Sequence, residues 1–183
     1  MHSEKVDVQD SLGATALLGG SVGEQLSVTG SYEVKCLDAD GNTKWEDSIK
    51  NLVVTVGKAN LLNVYLASGT QTTTWYLGLV DNAGFTAYAA ADTMSSHAGW
   101  AESVAYSNAT RPQGEFTATA TASIATAATT FTINATATIA GAFLTTGSAK
   151  SGTTGTLYSA GSFATSRAVI SGDSLLVTYT ASV

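Results

Sequence analysis

Cysteine occurs once in this 183-residue chain, at Cys36, so no intrachain disulfide can form and no zinc cluster can be built on thiols. Histidine occurs twice, at His2 and His97, which leaves little for acid-base catalysis, whose commonest carrier is histidine. Charge is scarce as well. Asp, Glu, Lys and Arg make up 12% of the residues, about half the ~25% usual in soluble proteins. With 8 Lys and Arg and a net charge of -6, the chain lacks the cations that neutralise phosphates, and nucleic acid is not an expected partner. No stretch approaches the ~18 apolar residues of a membrane helix, and the opening MHSEKVDVQD has no apolar signal-peptide core. The expectation is a protein of an aqueous compartment with no membrane partner. Disorder is not expected either, because 44% of the residues are hydrophobic and are spread along the chain.

Thr, Ser, Ala and Gly fill the space that charge leaves. The charges are also unevenly placed: of 14 acidic and 8 basic residues, thirteen lie in the first 50 positions. A body that poor in charge invites self-association unless another protein covers it, or else it is a β-sheet surface kept soluble by hydroxyls. Residues 11 to 30, SLGATALLGGSVGEQLSVTG, are rich in Gly and Ser and follow no period. They read as the end of an N-terminal arm, residues 1–30, ahead of a β-rich domain at 31–183. The arm's candidate partner contacts are Val6, Val8, Leu12, Leu17 and Leu18.

From Ser31 the pattern becomes that of strands. SYEVKCLD alternates with Tyr32, Val34 and Cys36 on one side, which makes Cys36 a core thiol rather than a nucleophile. Asp38-Ala39-Asp40-Gly41-Asn42 is a hairpin signal; as a calcium loop it would need Glu at its twelfth position, where Ile49 stands. Between Asn51 and Ser68, the spacing of Leu61, Leu62, Tyr65 and Leu66 predicts one helix ending near Gly69, with that stripe packed on the sheet. Thr74 to Asp81 is apolar on both faces and reads as a central strand. Asp92 is expected to cap a single helical turn before Trp100. Phe116 to Ile124 and Thr130 to Ile139 are Thr-Ala strands, and Gly172-Asp173 is a turn between two more. Many short strands at this spacing argue for a mainly β fold, a jelly-roll-like sandwich or barrel with one α-helix.

Chemistry is thinly represented. His97 and Asp92 lack the G-x-S-x-G elbow that would expose a serine nucleophile. Glu46 and Asp47 are strand neighbours that face opposite ways. Gly19-Gly20-Ser21 has no Gly-Lys-Thr ending for phosphate. Catalytic residues, metal ligands and cofactors are therefore not expected. Trp100 and Tyr106 bracket a loop and are candidate glycan or interface aromatics, with Trp100 as an edge plug of the core the plainer reading.

Several motifs together carry a resemblance. Tyr32-x-Val34, Asp38-x-Asp40-Gly41, Trp45, Asn51-Leu52-Val53-Val54-x-x-Gly57 with Leu61-Leu62, and Ser96-His97-Ala98-Gly99-Trp100 occur in this order. The C-terminal string adds Gly155-Thr156-Leu157-Tyr158, Phe163, Arg167-Ala168-Val169, Gly172-Asp173-x-Leu175 and Val177-Thr178-Tyr179. Over about residues 31 to 181 the chain resembles a family of small tailed-bacteriophage structural proteins. The resemblance implies a virion component and, by analogy with other small β-rich phage proteins, a non-enzymatic capsid decoration or cement protein. Its implied partners are the major capsid protein and neighbouring copies of itself, as a homo-oligomer on the particle. Its implied place is the outer capsid surface, after synthesis in the host bacterial cytoplasm, and the net charge of -6 suits that side better than the DNA-facing one. The alternative is a tail or head-fibre adhesin that binds host surface glycans through Trp100.

Overall fold

The computed structural model describes residues 27–183. The arm contacts expected at Val6, Val8, Leu12, Leu17 and Leu18 lie outside the described residues. Strand β1 (Thr29–Leu37) begins two residues ahead of the expected boundary and turns into β2 (Thr43–Lys50) through the Asp38–Asn42 hairpin. There the Asp38 carboxylate accepts the backbone N–H groups of Asp40 and Asn42 at 3.0 and 2.8 Å, and Gly41 takes φ +84°. An aspartate that satisfies its own turn, followed by a glycine free of the left-handed penalty, explains why this pentapeptide reverses the chain.

After β3 (Leu52–Val53) comes the only helix of the described residues, α1 (Thr55–Leu66), then β4 (Trp75–Asp81), β5 (Glu102–Ser103), β6 (Gln113–Gly114) and β7 (Ser123–Ala125). β8 (Thr129–Thr132), β9 (Ala137–Thr145), β10 (Leu157–Val169) and β11 (Ser174–Ser182) complete the chain. Two antiparallel sheets result. One has the order β2-β1-β11-β7, with β8 also on β11; the other runs β3-β10-β9-β4-β5, with β6 also on β4. The first and last long strands pair along their length, Tyr32 opposite Tyr179 and Cys36 opposite Leu175. The described residues form a mainly β sandwich with one helix, as the strand spacing predicts.

The main core lies between the sheets. Tyr32, Val34 and Cys36 of β1 meet Leu77 and Leu79 of β4, Leu144 of β9 and Leu175, Val177 and Tyr179 of β11, all buried. The period-two alternation of β1 thus maps onto an inner and an outer face. A second cluster, with Val80, Met94, Trp100, Ala140, Phe143 and Leu157, occupies the opposite face of the second sheet. It is covered by the Asn82–Ala101 connection. This double burial is why β4 is apolar on both faces.

Three expectations need correction. Phe116 to Ile124 is not a strand: Phe116 makes one isolated bridge, and regular pairing starts only at Ser123. Thr121 accounts for part of this, since its N–H goes to the Thr119 hydroxyl and its own hydroxyl to the Ser123 carbonyl, local bonds that compete with a ladder. Thr130 to Ile139 is two strands, β8 in the first sheet and β9 in the second, because the chain crosses between sheets at Asn134–Thr136. Asp92 caps no helical turn. Its carboxylate accepts the Ala89 N–H and the Trp100 indole N–H, both at 2.9 Å, and Thr93 bridges Ser96 instead.

Candidate interaction surface

Helix α1 meets the second sheet through a glycine. Val54, buried at its start, donates its N–H to the Tyr158 carbonyl of β10 at 3.1 Å. One turn later Gly57 lies so close that a β-carbon there would sit 2.3 Å from the same carbonyl oxygen. Gly57 is the helix's only fully buried residue. That contact fixes the rotation of the helix. Gly57, Leu61 and Val64, at spacings of four and three, turn inward. Leu62, Tyr65 and Leu66 turn outward and are 49%, 85% and 73% exposed. The expectation that the Leu61-Leu62-Tyr65-Leu66 stripe packs on the sheet is therefore overturned for three of its four members. Close approach at Gly57 outweighs the burial that the larger side chains would have gained. The helix ends where Ser68 takes φ +56° and the Gly69 N–H returns to the Asn63 carbonyl.

Beside the inward face of α1 opens an apolar cleft of about 930 Å³. Its walls come from four distant pieces of chain: Leu61 and Val64 of α1 with Gln71–Thr73 after it, Trp75 of β4, the Gln113–Ile124 stretch, and the Ala181–Val183 end. Val28, two residues from the start of the described chain, lines it too. Trp75 stacks edge-on against Tyr158 at 5.4 Å, and Tyr158 meets Tyr179 at 6.3 Å, so the floor is a row of aromatics continuous with the core. Glu115 is the one charged residue on its described walls. The cleft and the exposed Leu62, Tyr65 and Leu66 adjoin one helix, the cleft on its inward side and the three side chains on its outward side.

The glycan candidates are elsewhere and are enclosed. Trp100 is 5% exposed, packed on Phe143 at 5.1 Å and under the His97 ring at 4.0 Å. Tyr106 is fully buried, edge-on to Phe131, and donates its hydroxyl to Glu102. Neither ring has a free face on which a sugar could stack. Their surroundings explain the burial. Arg111, 1% exposed, holds Glu102 through two parallel bonds of 2.9 and 2.8 Å and donates further N–H groups to the Gly147 and Gly152 carbonyls. Glu102 also accepts the Ser151 N–H at 2.6 Å. Four of the five guanidinium N–H groups are used in this way, so the pair fastens the 147–155 loop to β5; beside it, His97, Trp100, Ser151 and Gly152 line a small cavity of about 230 Å³. Sequence reasoning missed this pair, because Glu102 and Arg111 stand nine residues apart with no periodic relation.

The titratable groups give no catalytic set. Burial lowers the His97 imidazole below its ordinary value, and its Nδ1 faces the Thr93 carbonyl at 3.2 Å. Cys36 is buried 3.8 Å from Asp173, which pairs with Lys44 at 2.6 Å; burial first, then the Asp173 charge, push the thiol up to about 11. A thiol so protonated is a poor nucleophile at neutral pH. Among the described residues no cluster of three or more His, Cys, Asp or Glu could hold a metal ion, and no helix is long and apolar enough to cross a membrane.

Fold and surface together define a class: a β sandwich whose outstanding feature is an uncovered apolar helix face beside an apolar cleft. No protein-family model matches the chain, and no curated protein matches it.

Proposed function

We propose that this chain is a non-enzymatic structural protein of a bacteriophage particle, a decoration or cement protein seated on the outer capsid through the α1 face. The observation that carries the reading is the exposure of Leu62, Tyr65 and Leu66 on one helix face. Apolar side chains grouped like this on a surface are a mark of protein contact. The low charge of the body points the same way, since surfaces meant to be covered have few charges to desolvate. Many copies on a lattice would make even a small apolar contact sufficient, because each bound copy is held by several neighbours. The motif string from Tyr32 to Tyr179 supplies the phage context.

The test replaces Tyr65 and Leu66 by aspartate in the phage that encodes the chain. Burying two such side chains contributes roughly 1.5–3 kcal/mol each, so losing both weakens each contact by at least about a hundredfold. Particle occupancy, read by quantitative gel of purified virions, should fall by that order. The purified variant should unfold at the same denaturant concentration as the wild type, since both residues are exposed. Equal occupancy in a folded variant would contradict the proposal.

A further inference from the structure

Val28 lines the apolar cleft, and residues 1–26, which precede Ser27, lie outside the described residues. We propose that the cleft is the docking site of this chain's own segment Leu12–Val22, bound in cis. Three observations point to this occupant over any other.

The first is position. Val28 is part of the cleft wall, so a segment ending at Val22 reaches the cleft through a five-residue tether, Gly23 to Ser27. Fully extended, five residues span roughly 17 Å. A segment held by so short a tether is present at an effective concentration on the order of millimolar, far above that of any second copy in dilute solution.

The second is charge. Residues 11–23 contain no charged side chain, although Glu4, Lys5, Asp7 and Asp10 crowd the positions before them and Glu24 follows. The described cleft walls carry only Glu115. The uncharged part of the arm thus coincides with the part that the tether can bring to a cleft with a single described charge.

The third is fit. A volume of about 930 Å³ lies at the upper end of the roughly 300–1,000 Å³ of apolar binding sites. It has an aromatic floor, Trp75 and Tyr158, suited to aliphatic side chains such as Leu17, Leu18 and Val22. Gly19 and Gly20 between them let the backbone approach closely.

This inference concerns the free protein and does not depend on the virion proposal; either can fail without the other. The test is paramagnetic broadening in the full chain. A nitroxide is attached at Ala16→Cys, while Cys36 stays unlabelled because it is buried and its thiol is pushed up to about 11. The expected result is loss of the Trp75 indole signal and of the Ala181 and Ser182 amide signals within the labelled molecule. The Lys44 amide, on the far hairpin, should keep its intensity. In the same labelled chain, Leu17→Asp with Leu18→Asp should restore the Trp75 signal without moving the other sandwich resonances. A Trp75 signal of full intensity in the labelled chain would overturn the proposal. So would broadening that appears only when spin-labelled chains at natural isotope abundance are mixed with unlabelled-thiol isotope-enriched ones, because the cleft would then hold the arm of a second copy.

Discussion

Replacing Gly57 by alanine sets two effects of opposite sign against each other at the root of α1. Helix propensity favours alanine over glycine by about 0.8–1.0 kcal/mol inside a helix. Contact opposes it: the new β-carbon would lie 2.3 Å from the Tyr158 carbonyl oxygen and 2.8 and 2.9 Å from the Tyr158 Cα and carbonyl carbon. All three are backbone atoms of Tyr158, which sits at a bulge in β10 directly before Ser159, a residue paired with Val53 on one side and Leu144 on the other, so none can step aside as a side chain could. Overpacking of this kind costs typically about 1–3 kcal/mol, and immovable neighbours place the cost at the upper end. The net expectation is a loss of about 1–2 kcal/mol. For a chain of this size that corresponds to a fall in Tm of roughly 3–8 °C. Urea unfolding measures the stability, and amide hydrogen exchange along Thr55–Leu66 shows whether the helix has lifted from β10. Ala59→Gly, on the exposed side of the same helix, isolates the propensity term and should cost about 1 kcal/mol with exchange near Tyr158 unchanged. A Gly57→Ala chain as stable as the wild type, or more so, would refute the claim that this close approach sets the rotation of the helix and exposes Leu62, Tyr65 and Leu66.

Two further outcomes follow from the buried polar groups. Arg111→Met leaves Glu102 buried without its cation, and breaking such a pair costs about 3–5 kcal/mol; chemical denaturation should show this loss, with faster exchange at the Ser151 amide, which Glu102 accepts. Cys36, raised from 9.0 to about 11 by burial and Asp173, holds its proton in the folded state after the unfolded thiol has lost it. Its contribution to stability is complete below pH 9 and is lost as pH rises through about 11. Cys36→Val should flatten that part of the stability profile, and a thiol reagent at pH 8 should modify the native chain far more slowly than the unfolded one.

Local chemistry made some of this legible from residues alone. The Asp38–Asn42 hairpin, the turn at Gly172 and the two-faced burial of β4 each depend on side chains adjacent in sequence, and each is present as expected. The helix was legible too, but not which way it faces, because the deciding contact is between Gly57 and a strand a hundred residues later. The Thr-Ala runs were misread for a related reason: alternation marks a strand but cannot show where the chain changes sheets, as it does after β8. Trp100 reads most plainly as an edge plug of the core, and its burial bears this out; the groups that enclose it and Tyr106, among them Phe143, Arg111 and the 147–155 loop, lie far along the chain, which left the glycan alternative standing. The cleft had no sequence signal at all, since its walls come from four separate segments.

If the outward face of α1 is an assembly surface, an electron-microscopy map of the intact particle should show density for this sandwich on the outer shell, with Leu62, Tyr65 and Leu66 against a shell subunit. A particle without the chain, or with the chain seated and its α1 face turned to solvent, would contradict this reading.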